Sequence, residues 1–307
     1  MWKPTSTLNT LKARAEILQS IREFFKERHV LEVETPCLSI STITDPYLES
    51  LEVDCGGDTH YLQTSPEYHM KRLLAAGSGD IFQLCKSFRK DETGRLHNPE
   101  FMMLEWYRLG FDDGALMDEI DLLIQRVLKC EPARRLSYNE SFQQFLGLDL
   151  DSPLTVENFK AIASQQNLNA PDWGNDRDAW LLYLFSEVIE PELQEPTFIY
   201  DFPATQASLA RLKPNGKAGR FELYIQGIEL ANGFWELSDP LEQQKRFEEN
   251  QRVRAAKKLQ KRPIDFLLLE ALKSGLPGCA GVALGVDRLM MLALGKKSIK
   301  EVMSFVC

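Results

Sequence analysis

Strands in this chain come in adjacent runs, and that ordering constrains the fold more than any other feature of the sequence. Residues 81–89 and 100–109 both alternate in strand fashion and are parted only by a polar loop. Residues 197–202 are followed by a second alternating stretch, 221–237. Parallel partners need a crossover between them, usually a helix, whereas strands that follow one another directly pair antiparallel. The order predicts an α+β fold and disfavours a doubly wound parallel sheet. Helical patterning surrounds these runs. Residues 11–29 read as an amphipathic helix with Ala15, Leu18 and Phe25 close to one stripe. Residues 30–35 read as a short strand stopped by Pro36. Ser65 and Pro66 predict a helix start, with serine at the cap and proline in the first turn, running to about Gly77. Residues 115–192 are mostly helical in pattern, and a long helix is expected over 243–259. A further helix and a glycine-rich strand-to-helix segment follow.

Several function classes are disfavoured at once. The 307 residues contain no apolar run near the roughly 20 that a membrane-spanning helix needs. Residues 1–10 lack the basic-then-apolar layout of a signal peptide. Cys37, Cys55, Cys85, Cys130, Cys279 and Cys307 have no metal-ligand spacing and read as thiols in a reducing cytoplasm. A net charge of −9 gives none of the basic excess that usually accompanies a grip on nucleic-acid phosphates. The densest basic run, RVRAAKKLQKR at 252–262, is expected to be a solvated helix face. Neither G-x-x-x-x-G-K-[ST] nor a G-x-G-x-x-G after a strand occurs, so any ATP site must be built differently.

Strand parity gathers chemistry on particular faces. Gln83, Cys85, Ser87 and Arg89 share one side of the first strand, and Phe101, Met103, Glu105 and Tyr107 share one side of the second. Together these could hold an anion, a cation and a planar base, although an amphipathic hairpin with charges in water has the same pattern. In RFELYIQGIELANGFWE, at 220–236, a tight turn at Gln226-Gly227 sets Glu229 opposite Tyr224 and diagonal to Glu222. Diagonal partners lie about 7–8 Å apart, a span over which two carboxylates can share Mg²⁺ and a triphosphate. Asn232, Phe234 and Glu236 have the opposite parity, so a bulge is required, with Gly233 its expected place. A solvated strand edge is the plainer reading of the paired glutamates. In GVALGVDRL, 281–289, the glycines admit close approach of a ligand and Arg288 sits where a helix begins.

Taken together, these segments resemble the class II aminoacyl-tRNA synthetases. FKERHVLEVETP at 25–36 looks like the first family motif. Phe88-Arg89 through HNPEF at 97–101 to LEWY at 104–107 looks like the second, and 281–288 like the third. Thr64-Ser65-Pro66-Glu67 and 227–236 are most similar to the lysyl branch. The likeness runs from about Leu11 onward, with residues 1–10 an extension and 11–307 the catalytic domain. It implies an antiparallel sheet flanked by helices, with the first motif at a homodimer interface.

The resemblance also implies roles, position by position. Arg89 would hold the substrate carboxylate and the α-phosphate. Phe101 would stack on adenine, with Arg288 on its other face or reaching the γ-phosphate. His97, Asn98, Lys90 and Asp91 would meet the nucleotide, as would Leu230, and Gly285 would leave room for the base. Glu222 and Glu229 would bind Mg²⁺. Glu236 and Tyr107 would bind a lysine ammonium, with Glu67 and Glu105 adding negative charge. Asn232, Phe234, Ser65, Pro66 and Ala283 would line the pocket. No side-chain nucleophile is needed, because the substrate carboxylate itself attacks phosphorus, so catalysis is positioning and electrostatics.

Three departures from the lysyl pattern refine this. No OB-fold anticodon reader is expected, since the core starts almost at once. Ala283 replaces the middle glycine of the third motif, and Asp91 stands where glutamate is common. An altered amino end without a tRNA reader resembles the lysyl paralogues whose acceptor is a lysine of elongation factor P and whose substrate is (R)-β-lysine. Charging of a tRNA, amide formation like that of an asparagine synthetase, or a regulatory paralogue without turnover are the alternatives. The lysine-type pocket disfavours the asparagine synthetase reading, and retention of Arg89, Glu222, Glu229 and Arg288 disfavours the regulatory one.

Overall fold

The computed structural model describes residues 2–171 and 173–306. Residues 2–111, 126–128 and 237–306 gather into one compact unit, and the remainder of 112–236 into a second.

In the first unit, α1 (Leu8–Glu27) starts where Thr7 caps it, its hydroxyl accepting from the Thr10 N–H at 3.2 Å. That cap places the start three residues before the expected one. Ile21, Phe24 and Phe25 form the buried stripe, while Ala15 is exposed and Leu18 half-buried. Phe25 stacks on Phe82 at 4.4 Å and meets Trp106 edge-on at 5.3 Å, which fixes the helix to the sheet. The sheet runs β1 (Leu31–Glu32), β5 (Ile81–Phe88), β6 (Glu100–Leu109), β11 (Cys279–Gly285). Its pairs are antiparallel except the edge pair β1–β5, which is parallel. A smaller sheet orders β2 (Leu38–Ser39), β4 (Asp58–Leu62) and β3 (Glu52–Cys55). Four helices complete the unit: α2 (Glu67–Ala75), α7 (Pro240–Ala256), α8 (Phe266–Gly275) and α9 (Val286–Ala293). Pro66, not Ser65, occupies the cap position of α2.

The second unit contains β10 (Ile228–Trp235), β9 (Ala218–Ile225), β8 (Thr197–Phe202) and β7 (Arg134–Ser137) in that order. Again only the edge pair, β7–β8, is parallel. Helix α3 (Asp113–Leu128) precedes β7, whereas α4 (Tyr138–Leu146), α5 (Val156–Gln165) and α6 (Arg177–Leu184) follow it. Helices α4, α5 and α6 contribute to an aromatic core in which Tyr138 lies 4.8 Å from Phe202 and 5.4 Å from Phe185. The α+β class stands, with mixed pairing confined to edges.

The basic run at 252–262 departs from expectation. Arg254 is fully buried, donating to the carbonyls of Gln260 at 2.8 Å and Asp45 at 2.9 Å and to Glu49 Oε1 at 2.5 Å. Arg262 is buried as well and pairs with Glu49 and Glu52. Two of these arginines therefore work inside the first unit and are not part of a solvated face. Burying a guanidinium is tolerable only with such partners.

Candidate active site

The expected chemistry divides between the two units. In the first, register pairs Gln83 with Glu105, Ser87 with Phe101 and Ile81 with Tyr107, as strand parity requires. The Tyr107 hydroxyl donates to Glu105 Oε1 at 2.7 Å, and both side chains are buried. Strand β11 sets Ala283 opposite Glu105 and Gly281 opposite Tyr107. The methyl of Ala283 is thus attached at the strand position beside the Glu105–Tyr107 pair. Cys85 lies on the same face. Burial, and next the Glu105 charge, push its thiol up to about 12, so it stays protonated and is no nucleophile.

The loop after β5 is folded by its backbone. Arg89 N–H donates to the Pro99 carbonyl at 2.9 Å, and Lys90 N–H to that of Glu49 at 2.8 Å. Asp91 adopts a left-handed φ of 62°. Lys90 and Asp91 are exposed, while Asn98 is buried, its amide donating to the Glu100 carbonyl at 2.7 Å. Arg89 spans this loop: its guanidinium lies 5.2 Å from the centroid of Phe101, and Nη1 is 3.7 Å from Glu92. Its Nε and the Oδ1 of Asn98 are buried with no hydrogen-bond partner among the described residues. Such atoms are costly unless something supplies the partner.

Arg288, third residue of α9, brings its Nη2 within 2.8 Å of His97 Nε2 and its Nε within 3.4 Å of the Leu96 carbonyl. Burial, then the charge of Arg288, lowers the His97 pKa, with Arg89 adding to the effect and Glu92 opposing it. The neutral imidazole accepts from Arg288. At Gly285, φ is an ordinary −74° and an added Cβ would be 3.6 Å from Arg288 Cδ. Neither backbone nor packing within the chain requires glycine there. Glu67 is already engaged, since the buried Lys71 Nζ lies 2.6 Å from its carboxylate. Ser65 Oγ accepts from the Glu67 N–H at 3.3 Å.

In the second unit, Gln226 and Gly227 at φ 54° and 66° make the tight turn, and Glu229 falls opposite Tyr224. Both central residues at positive φ suit the twist of a hairpin. The bulge exists but not at Gly233. Register shifts between Glu229 and Ala231, so Leu230 is the extra residue, and Asn232 then faces Glu222 while Phe234 faces Arg220. Gly233 is glycine for another reason: a Cβ there would lie 2.2 Å from the ring of Phe221. The bulge brings Glu229, Asn232 and Phe234 to the same face as Glu222. Glu236 is buried just beyond, at a bridge to Ala210. The Leu230 side chain is buried.

Glu222 is crowded with donors. Arg220 pairs with it, Asn232 Nδ2 donates to Oε1 at 3.2 Å, and the Tyr224 hydroxyl donates to Oε2 at 2.5 Å. Burial, followed by the charges of Glu222 and Glu229, holds the Tyr224 pKa far above its usual value, so it remains a donor. Burial opposes the Arg220 charge, but Glu222 more than compensates and raises its pKa. An ionised carboxylate offers about four lone-pair sites, of which three are taken here. No group of three metal-type ligands occurs among the described residues. Glu229 with the remaining site of Glu222 fits a cation carried in by a triphosphate, not a self-standing metal centre.

Sequence reasoning missed Arg220, Lys71, Glu92 and Asp287 as partners of the expected residues. For Arg220 the signal was present: it shares parity with Glu222 and Tyr224 on one strand. The five described cysteines are free, and no described helix is long and apolar enough to cross a membrane.

A sequence model of the family described as tRNA synthetases class II (D, K and N) matches residues 2–307. Proteins named elongation factor P–(R)-β-lysine ligase from Salmonella arizonae, Salmonella paratyphi B and Salmonella heidelberg are each 52% identical to this chain over 314 aligned positions. The alignments cover 99% of this chain and 97% of those proteins.

Proposed function

This chain belongs to the class II tRNA synthetases of the D, K and N type, and on that premise we propose that it joins (R)-β-lysine to a lysine side chain of elongation factor P at the expense of ATP. The observation that carries this reading is the 52% identity, over 99% of the chain, to proteins that bear that name. The site supports it in kind, since it offers carboxylates for amines and, at Arg89 Nε, a buried donor for an anion.

In the first step the amino-acid carboxylate attacks the α-phosphorus and pyrophosphate leaves, giving an aminoacyl-adenylate. Arg89 draws carboxylate and phosphate into line, its Nε finding there the partner that the described residues do not supply. Phe101 and Arg288 hold the adenine, aided by His97, Asn98, Lys90, Asp91, Leu230 and Gly285. Glu236 and Tyr107 bind the side-chain ammonium, while Glu105 orients Tyr107 through their hydrogen bond. Glu67, balanced by Lys71, contributes hydrogen bonding more than net charge. Ser65, Pro66, Asn232, Phe234 and Ala283 shape the pocket, and the Ala283 methyl shortens the space for an α-amino group. Glu229 and Glu222 would hold Mg²⁺, which would supply positive charge against the leaving pyrophosphate. In the second step the acceptor lysine amine attacks the adenylate carbonyl, AMP leaves, and an amide forms.

Residues 11–307 act as the catalytic domain after an extension of ten residues, in the cytoplasm. Two copies pair through the first-motif segment, 25–36, where Leu31 is exposed. The acceptor is tested by supplying radiolabelled (R)-β-lysine, ATP and either elongation factor P or bulk tRNA. Label in the protein as a stable amide is expected. Efficient label in tRNA with none in elongation factor P would overturn the assignment.

A further inference from the structure

Segments far apart in sequence meet at one carboxylate. Asp287 lies in the first turn of α9, immediately before Arg288, and is 3% exposed. Its Oδ2 accepts from the backbone N–H of Met102 at 2.7 Å, one residue after Phe101. Strand β11 pairs with β6 only as far as Gly285 and Met103. Asp287 therefore takes up the next backbone donor of β6 just where the strand turns into helix. The other oxygen, Oδ1, lies 2.8 Å from Nη1 of Arg14 on α1. This is a charge contact and not an aligned hydrogen bond, and the same nitrogen donates to the Val302 carbonyl at 3.4 Å. Nη2 of Arg14 reaches Met102 Sδ at 3.3 Å. A carboxylate in the first turn also suits the positive end of the helix.

We propose that Asp287, braced by Arg14, is a positioning residue for ATP: it locks the first turn of α9 to β6 and so fixes the Arg288 guanidinium relative to Phe101. The proposal rests on the reading of Phe101 and Arg288 as the nucleotide clamp. Asparagine at 287 retains an acceptor for Met102 but loses the charge facing Arg14, and alanine loses both. Misplacement of a binding group by an ångström is enough to cost orders of magnitude in rate.

The test is ATP–pyrophosphate exchange, with KM for ATP and for amino acid measured separately. The variants are Asp287→Ala, Asp287→Asn, Arg14→Met and Arg14→Lys, with Arg288→Ala as reference. Asp287→Ala is expected to raise the KM for ATP about tenfold and that for amino acid less than about twofold. Arg14→Met should give a smaller rise of the same kind, which Arg14→Lys largely reverses. Should Asp287→Ala fail to fold, Asp287→Asn and Arg14→Met carry the test. An impaired Arg288→Ala beside Asp287 and Arg14 variants of unchanged ATP KM, or with both KM values raised equally, would overturn the positioning role alone. An unimpaired Arg288→Ala would overturn the clamp itself, and the proposal with it.

Discussion

The two hairpins that carry the candidate site reach the same end by different means. Strands β5 and β6 pair without interruption from Ile81 and Tyr107 to Phe88 and Glu100, so every second residue faces one way. Strands β9 and β10 do not: the extra residue at Leu230 switches the parity of everything after it. In the first hairpin simple alternation delivers Phe101, Glu105 and Tyr107 to one face. In the second, only the bulge lets Glu229 join Asn232 and Phe234 beside Glu222. Partners differ as well. Arg89 keeps a buried Nε with no partner among the described residues, whereas Glu222 is surrounded by Arg220, Tyr224 and Asn232. The regular hairpin holds groups ready for a ligand, and the bulged one holds a carboxylate already tied into the protein.

Mutation should expose this contrast. The largest effect is expected for Arg89→Ala, which should lower pyrophosphate exchange about 10³-fold with little change in stability, because its guanidinium serves the ligand. Glu222→Leu should behave in the opposite way. It strands the buried Arg220 charge, and a loss of about 3 kcal/mol in chemical denaturation is expected. Glu222→Gln should lose less, since the amide oxygen still accepts. Equal stability of Glu222→Leu and the parent would show that the cluster is not structural.

Gly233→Ala comes next. Its methyl would collide with Phe221, and overpacking of this kind costs about 2 kcal/mol, read as a lower denaturation midpoint. Normal stability there would mean that Phe221 can swing aside. The smallest effect is a pH dependence. His97 has a lowered pKa in the folded chain, so protonation is disfavoured relative to the unfolded state. Stability should therefore decline as pH falls below about 6.5 and level off once the folded value is passed. The KM for ATP should rise at lower pH, as the depressed folded value is itself passed, because an imidazolium repels Arg288. His97→Gln should flatten both trends, and an unchanged acid limb would reject this role.

Much of this was legible in the sequence because it depends on period-two alternation and on turn chemistry. The β5–β6 face, the turn at Gln226-Gly227 and the facing of Glu229 and Tyr224 all follow from local rules. The need for a bulge followed from parity too. Its place did not, because Gly233 is explained by the Phe221 ring, a contact across strands that no local pattern records. The buried fate of Arg254 and Arg262 was hidden for a similar reason. Their partners, Glu49 and Glu52, lie some two hundred residues earlier. Lys71 beside Glu67 was open to inspection at helical spacing, but a lysine on a helix ordinarily points to water.

Amino-acid activation that needs Arg89 and Glu229 is open to one direct measurement. The intact chain is incubated with ATP, magnesium and labelled pyrophosphate, with (R)-β-lysine, (S)-β-lysine, α-lysine or no amino acid. Exchange that requires an amino acid, is fastest with (R)-β-lysine and disappears in Glu229→Ala is the expected result. Exchange that ignores the amino acid, survives in Glu229→Ala, or is absent with every lysine would contradict it.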